Sequence, residues 1–491
     1  MRKQLLTVIL CCLCVTLVFS QEKWDLRRCV EYATKNAISV KQADIQKRLA
    51  DISLKQNKYS RYPNANFGSN LGFNFGRAVD PTTNLYTTQN TLFQDFQFNT
   101  DVTIFNWNRI KNNITAATYE ADAANADVDR AKNDIALAVA TAYLQALLSK
   151  VQIEIANVQV QQTRSQLADT RKRVDAGSLP ELNALDLEAQ LSRDSSNLIT
   201  AQANYEQGLL NLKAYMNLDF AAPFDIDVPK VETIPVESIA ELQPDLVYQL
   251  ALKSQPAQRA NELRYQSLLH SSKAARSSLY PTFTAFGGLA SRFSNGNIIF
   301  FDPVFSNYNT PDLSIPGSHP VKVTVGGTDY ALSTPQFVFP QGKRSFGEFW
   351  QGWGNQLNNN FSQNLGISLR VPIFNGWQAR SSYERSKVDI KNQEIVKEQA
   401  DQKLKQDIYT AYTTAVAALQ KFNASQSSVA TAQRAYDISS KRYGVGLLST
   451  LELIISQSNL NRAKIDLANA QFDYVFKMKV LEFYKGQGIK L

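Results

Sequence analysis

Only two histidines occur in the 491 residues, His270 and His319. An imidazole can act as general base, metal ligand or triad member, but each role needs a suitably spaced partner. His270 falls in a helical flank and His319 in a loop rich in Gly and Pro, so their spacing supports neither a metal site nor a triad. No phosphate-cradling glycine loop is visible, because the GVG at 444–446 does not follow a strand. Paired carboxylates recur along helical segments such as DQKLKQD, where a solvated helix face accounts for them. The chain therefore reads as a non-enzyme with no cofactor. One carboxylate has a definite local role: Glu452 stands three residues after Ser449, the spacing of a capping box.

That box lies at a turn between two very long helical patterns. No Pro or Gly interrupts 108–176, which predicts a continuous helix of roughly 100 Å at about 1.5 Å per residue. Its seam runs Ile135, Val139, Ala142, Ala146, Ser149, Ile153, Ala156, Val160, Thr163, Leu167, Thr170, Val174, in alternating steps of four and three. A second seam runs in the same phase: Leu404, Ile408, Ala411, Ala415, Ala418, Phe422, Ser425, Val429, Ala432, Tyr436, Ser439, Tyr443. At one constant offset Phe105 pairs with Phe374, Tyr143 with Tyr412, Gly177 with Gly446 and Tyr205 with Tyr474, without a gap. The pattern predicts an internal duplication built on rods. Each rod turns back at a glycine tip, Gly177 in the first copy and Gly444 with Gly446 in the second, with return helices near 182–215 and 451–484. Ser178 with Glu181 offers a capping box at the first tip, and Ser449 with Glu452 one at the second.

Before each rod the period changes to two. Ala65, Phe67, Ser69, Leu71, Phe73 and Phe75 alternate with Asn66, Gly68, Asn70, Gly72, Asn74 and Gly76. A second strand sets Phe96, Phe98, Val102 and Ile104 against Gln97, Asn99, Asp101 and Thr103. A third, less regular strand lies around Pro281–Phe293, and a fourth sets Phe361, Leu365, Ile367, Leu369, Val371 and Ile373 against Ser362, Asn364, Gly366, Ser368 and Arg370. Aromatic-rich faces opposite polar ones fit outer-membrane barrel strands. An antiparallel sheet packed on a soluble core fits the alternation equally well.

The N-terminus bears on that choice. Arg2 and Lys3 precede an apolar run from Leu5 to Phe19, shorter than the roughly 20 residues of a spanning helix, so residues 1–20 read as an export signal. Three of the four cysteines lie inside it, leaving Cys29 without a disulfide partner. The formal charge of +8 falls to about +6 without the leader, and the basic residues are dispersed among acids, which argues against nucleic acid. For an exported chain with lipid-facing strands, four strands fall short of the roughly eight in the smallest single-chain barrels, and open edges cannot stay bare in lipid. Several copies must then close one barrel.

Flanking segments repeat at a shorter offset, Ala33 with Ala251, Lys55 with Lys273 and Pro63 with Pro281, which divides the chain into repeat 1 (21–241) and repeat 2 (242–491). The extra residues of repeat 2 fall in a long loop at 294–360, which includes a hairpin-like VKVTVGGTDYALS. With the helices joined to one end of the strands, this loop is expected at the cell surface, where variable length is tolerated.

WDLRRCVEYATKNA after the leader, TAY within each rod, the glycine tips, and VPIFNGWQAR before the second rod together resemble the outer-membrane efflux protein (TolC) family over essentially the whole mature chain. The sequence departs from the family pattern at Trp377, where a second glycine is usual, and in the first copy, which reads IFNWN. The resemblance implies a mixed α/β membrane protein. It would be a homotrimeric channel whose twelve-stranded outer-membrane β-barrel, four strands per chain, continues into a long periplasmic α-helical barrel. It further implies a passive gated conduit of a tripartite efflux or type I secretion system, in the outer membrane of a Gram-negative bacterium and reaching into the periplasm. The partners would be outer-membrane lipid, a periplasmic adaptor (membrane fusion protein) and an inner-membrane pump.

Relatives narrow the tunnel at the tips with acidic side chains shortly after the tip glycine. Carried onto this chain, those positions are Asn183 and Glu452, then Asp186 and Ile455, with Tyr443 matching a tip tyrosine. Glu452 and Asp186, repeated by symmetry, would form carboxylate rings that favour cations. Leu448 stands where a basic residue of the locking network is usual. The alternative is a nontransporting periplasmic coiled-coil scaffold or adaptor, although adaptors carry one hairpin per chain and no membrane strands.

Overall fold

The computed structural model describes residues 23–79, 86–88, 91–227, 238–294, 304–306, 322–331, 336–338 and 346–486. The leader, the 228–237 part of the linker and much of the 294–360 loop lie outside these residues. The chain divides into a helical unit, comprising residues up to Lys58 with Lys111–Arg276 and Gln378–Leu491, and a sheet unit of Tyr59–Ile110 with Ser277–Trp377.

In the helical unit, α1 (Leu26–Asn36) and α2 (Ile38–Tyr59) precede the rod α3 (Arg109–Asp175) and its return helix α4 (Glu181–Met216). Then come α5 (Pro244–Ser254), α6 (Pro256–Ser277), the second rod α8 (Gln378–Gly444) and its return α9 (Thr450–Lys485). Both rods are 67 residues long and both returns 36. Length follows from composition: Ala, Gln, Lys and Arg, all good helix formers, recur along the rods, and neither copy carries a proline until the helix has ended.

Two cores hold the rods to their returns. Cys29, Ala33, Val139, Ala146, Leu209 and Leu212 build one. Ala251, Ile408, Ala415, Met478 and Leu481 build the other, at positions that the two sequence offsets pair with the first set. Small seam residues let helix axes approach. A Cβ added at Gly208 would come within 3.3 Å of the Ala146 backbone, so a larger residue at this crossing of α3 and α4 would press the two helices apart. Tyr143 is buried in the first core, and its hydroxyl donates to the carbonyls of Asp227 at 2.7 Å and Trp24 at 3.1 Å, tying both ends of repeat 1 to its rod. The second seam is buried from Leu404 to Ala418 but only half-buried from Phe422 to Tyr443.

The sheet unit carries one four-stranded antiparallel sheet: β1 (Asn64–Asn74), β2 (Thr91–Phe105), β3 (Thr282–Ser294) and β4 (Ser362–Arg370), in that spatial order. The fourth strand is shorter than expected, because Val371 and Ile373 belong to the turn that leads into α8. Register places Phe67 opposite Phe98, Phe98 opposite Leu289, and Ile367 opposite Ala285, so one face is mainly apolar, with Ser69, Gln94, Thr100, Ser291 and Gln363 set among its apolar residues. Leu365 on that face is 90% exposed. The other face carries the cross-strand row Asn66, Asn99, Gly288, Asn364. Two of its glycines are not empty positions: the ring of Phe93 lies over Gly72 and that of Phe286 over Gly366, close enough that a Cβ at either would collide. Each glycine is thus half of a cross-strand aromatic pair, as sheets commonly use to fill a missing side chain. Within the loop, Lys322–Val325 and Thr328–Ala331 pair through a turn in which Gly326 and Gly327 both take positive φ.

The Trp377 departure lies in a strand-to-rod turn. Trp107 and Asn108 in the first copy, and Gly376 and Trp377 in the second, all adopt left-handed φ between 53° and 65°. Glycine is the easy choice there, yet each copy places a tryptophan at one of the two positions. Trp107 offsets its strain through a bond from its indole N–H to the Pro281 carbonyl at 2.9 Å and a ring contact with Tyr280.

Candidate functional site at the helical tips

The two tips close their rods by the same backbone device. At the first, the N–H groups of Gly177 and Ser178 donate to the Val174 and Arg173 carbonyls, and Gly177 takes φ 73°. At the second, Gly446 and Leu447 donate to Tyr443 and Arg442, and Gly446 takes φ 78°. This is a helix end that requires a left-handed residue. Gly444 does not share that duty, contrary to expectation: it is the last helical residue of α8, and a single left-handed residue suffices.

The return helices start differently. Ser449 and Glu452 form the expected capping box, with Glu452 N–H donating to Ser449 Oγ at 3.3 Å and Ser449 N–H donating to Glu452 Oε2 at 3.1 Å. These bonds, first the backbone one and then that from the Ser449 hydroxyl, hold the Glu452 carboxyl below the usual carboxylate range. The Ser178 and Glu181 box expected at the first tip does not form. Pro180 occupies the N-cap, Glu181 is the first helical residue, and the Ser178 hydroxyl donates instead to the Arg173 carbonyl at 2.8 Å.

Between the hairpins runs a line of polar contacts without a carboxylate. Thr170 Oγ1 and the Tyr443 hydroxyl are 2.9 Å apart, Gln166 donates to the Tyr436 hydroxyl at 3.0 Å, and Arg173 donates to the Gly444 carbonyl at 3.1 Å. Farther from the tips, α3, α4 and α9 meet at a buried polar cluster. Asp194 accepts from Thr163 at 2.6 Å, Gln190 at 2.8 Å and Gln159 at 3.3 Å, while Gln457 donates to Thr163 and Asn461 to Gln159. Asp194 is 4% exposed, so its satisfied carboxylate fixes how the three helices meet in register. On the outer side of the first hairpin, Arg171 pairs with Glu188.

Tyr443 thus enters an inter-hairpin network, and Glu452 enters its own helix cap. Asn183 and Asp186 lie half-buried in the first turns of α4, where the Asn183 N–H donates to the Pro180 carbonyl. Of the residues in these contacts, Gln166, Arg173 and Asp194 are absent from the sequence reading, and Thr170 and Tyr436 enter it only as seam positions. Four of these sit on or beside the coiled-coil seam, and Thr163, Thr170 and Tyr436 are seam positions themselves. A polar residue in a buried seam needs a partner, which was the available signal. Among the described residues no cluster of His, Cys, Asp and Glu suited to a metal ion occurs.

A family model described as outer membrane efflux protein matches residues 30–218 and 343–483. A stretch of 119 residues is 25% identical to the outer membrane protein TolC of Escherichia coli (strain K12), covering 24% of each chain. The matched stretch therefore spans about a quarter of that relative's length. Likeness of fold extends much farther: a solved structure of CusC, described in terms of folding and transmembrane channel formation, aligns at TM-score 0.72 and 15% identity over 96% of both chains. The outer membrane protein VceC of Vibrio cholerae aligns at TM-score 0.70 and 14% identity, over 95% of this chain and 97% of that one.

Proposed function

The chain belongs to the outer membrane efflux protein family, and from that premise we propose that it is the outer-membrane conduit of a tripartite efflux or type I secretion system, passive and gated at the helical tips. Three copies close a twelve-stranded barrel from the four strands each contributes. A periplasmic adaptor and an inner-membrane pump supply recognition and energy, and the conduit itself performs no catalysis.

The observation that carries this reading is the sheet. Its apolar face is bare, with Phe67, Leu71, Phe73, Leu365, Ile367 and Leu369 all exposed, and among the described residues β1 and β4 each have one free edge. In lipid such a face is stable and such edges are not, so the edges call for pairing with further copies. The half-buried lower seam of α8 is consistent with this need, since a helical barrel would bring a neighbouring rod against it. Pairing of the two cores through the sequence offsets supports descent by duplication, which gives each protomer two equivalent hairpins around the ring.

Extraction of membranes tests the assembly. The proposal expects release only by detergent, as a particle with the mass of three mature chains. Release by mild buffer as a single chain favours the scaffold reading and overturns this one.

A further inference from the structure

Helix α7 (Phe346–Asn359) folds back over the apolar face of the sheet, just before β4 begins. The indole N–H of Trp353 donates to Gln94 Oε1 at 2.9 Å, and its ring meets Phe96 edge-on with centroids 6.3 Å apart. Ser291 Oγ donates to the Leu357 carbonyl at 2.5 Å, and the Ser294 N–H donates to Gln356 Oε1 at 3.1 Å. By register, Phe96 opposes Ser291 and Gln94 opposes Phe293, all on the Phe67 and Phe98 side. Phe293 is 1% exposed although it lies on the face that is otherwise bare. In the C-terminal half of α7, Gly354, Asn355, Asn358 and Asn359 are exposed.

Resting on the membrane-barrel reading, we propose that α7 is an interfacial helix, seated in the head-group layer of the outer leaflet. Its place along the strands fits. From the Phe105 end, which joins the rod, to Phe96 the strand runs about 30 Å at ~3.3 Å per residue, or about 20 Å in height at a tilt of ~45°. That approaches the ~25 Å height of the apolar band in such barrels. Deeper in hydrocarbon the exposed asparagine amides would lose their hydrogen bonds, and in open water the apolar face continuous with Phe96 would be wetted. The level between satisfies both sides, and an indole with its N–H on a polar partner is the side chain best suited to it.

The test uses the purified full chain in phosphatidylcholine vesicles, with phospholipid brominated near the head group as quencher. The Trp353 component is the emission lost on Trp353→Phe, with Trp353→Tyr as a second variant. In the Trp353→Phe background, Phe98→Trp reports whether the sheet face itself lies in lipid. The proposal expects shallow bromolipid to reduce the Trp353 component by at least about twofold, with aqueous acrylamide reducing it less. Quenching of the indole introduced by Phe98→Trp, but not of the Trp353 component, overturns the inference about α7 and leaves the barrel reading standing. Absence of quenching in the Phe98→Trp variant removes the barrel reading and the inference with it.

Discussion

The Thr170 and Tyr443 hydroxyls stand 2.9 Å apart, joining the first long hairpin to the second close to where both turn back. Neither residue carries charge, and Leu448 occupies the position where a basic locking residue was expected. The contact between hairpins near the tips is therefore made chiefly by hydroxyls and amides. Such bonds contribute about 1 kcal/mol each, and under the proposed function that would bias a tip toward closure while leaving opening accessible.

Tyr443→Phe removes one hydroxyl and leaves Thr170 without its partner. The expected outcome is a higher mean single-channel conductance and a larger open fraction, with unfolding shifted by no more than about 1 kcal/mol. Thr170→Val should reproduce it. Unaltered conductance in both variants would remove this contact from the gate.

Glu452 has two separable roles, cap and charge. Because its folded carboxyl titrates below the ordinary value of about 4.3, the capping bonds are intact above that pH and are lost as pH falls through the lower folded value. The protection factor of the Ser449 amide, taken against the intrinsic exchange rate at each pH, should fall in that acidic window and stay high above it. Glu452→Gln keeps the capping geometry and removes the charge. Combined with Asp186→Asn, it should lower cation preference in planar bilayers. Unchanged selectivity would leave Glu452 as a cap alone.

Gly208→Val places a branched side chain against the Ala146 backbone, where even one carbon would sit at 3.3 Å. Overpacking of this kind costs about 1 to 3 kcal/mol. Urea unfolding of the helical unit should show the loss, while Gly354→Ala, at an open helical position, should leave the midpoint near wild type.

Cys29 is buried in the first core, and burial pushes its thiol up to about 12. It should resist maleimide at neutral pH in the native protein and react on unfolding. Rapid native labelling would mean that α1 detaches from α3.

Much of this architecture was legible in the chain. The helix spans and most strand faces followed from period, because each rod is free of proline and the first and fourth strands alternate regularly, whereas the third is less regular. The tips were read less well. The capping signature S-x-x-E occurs at both, but Pro180 displaces the first helix start by enough to release Ser178, a competition that spacing does not reveal. Thr163 and Thr170 were visible as small seam residues, yet their value as hydrogen-bond partners depends on residues hundreds of positions away in sequence. The same distance hides α7: its aromatic spacing is local, whereas the face it covers is set by the register of β2 against β3.

Conductance of the detergent-extracted protein in planar bilayers tests the central claim most directly. The account predicts discrete, cation-preferring channels of low conductance in the wild type that become larger in Tyr443→Phe. Protein that inserts no channel, or wild-type channels already wide open and indifferent to Tyr443, would contradict a conduit closed at its helical tips.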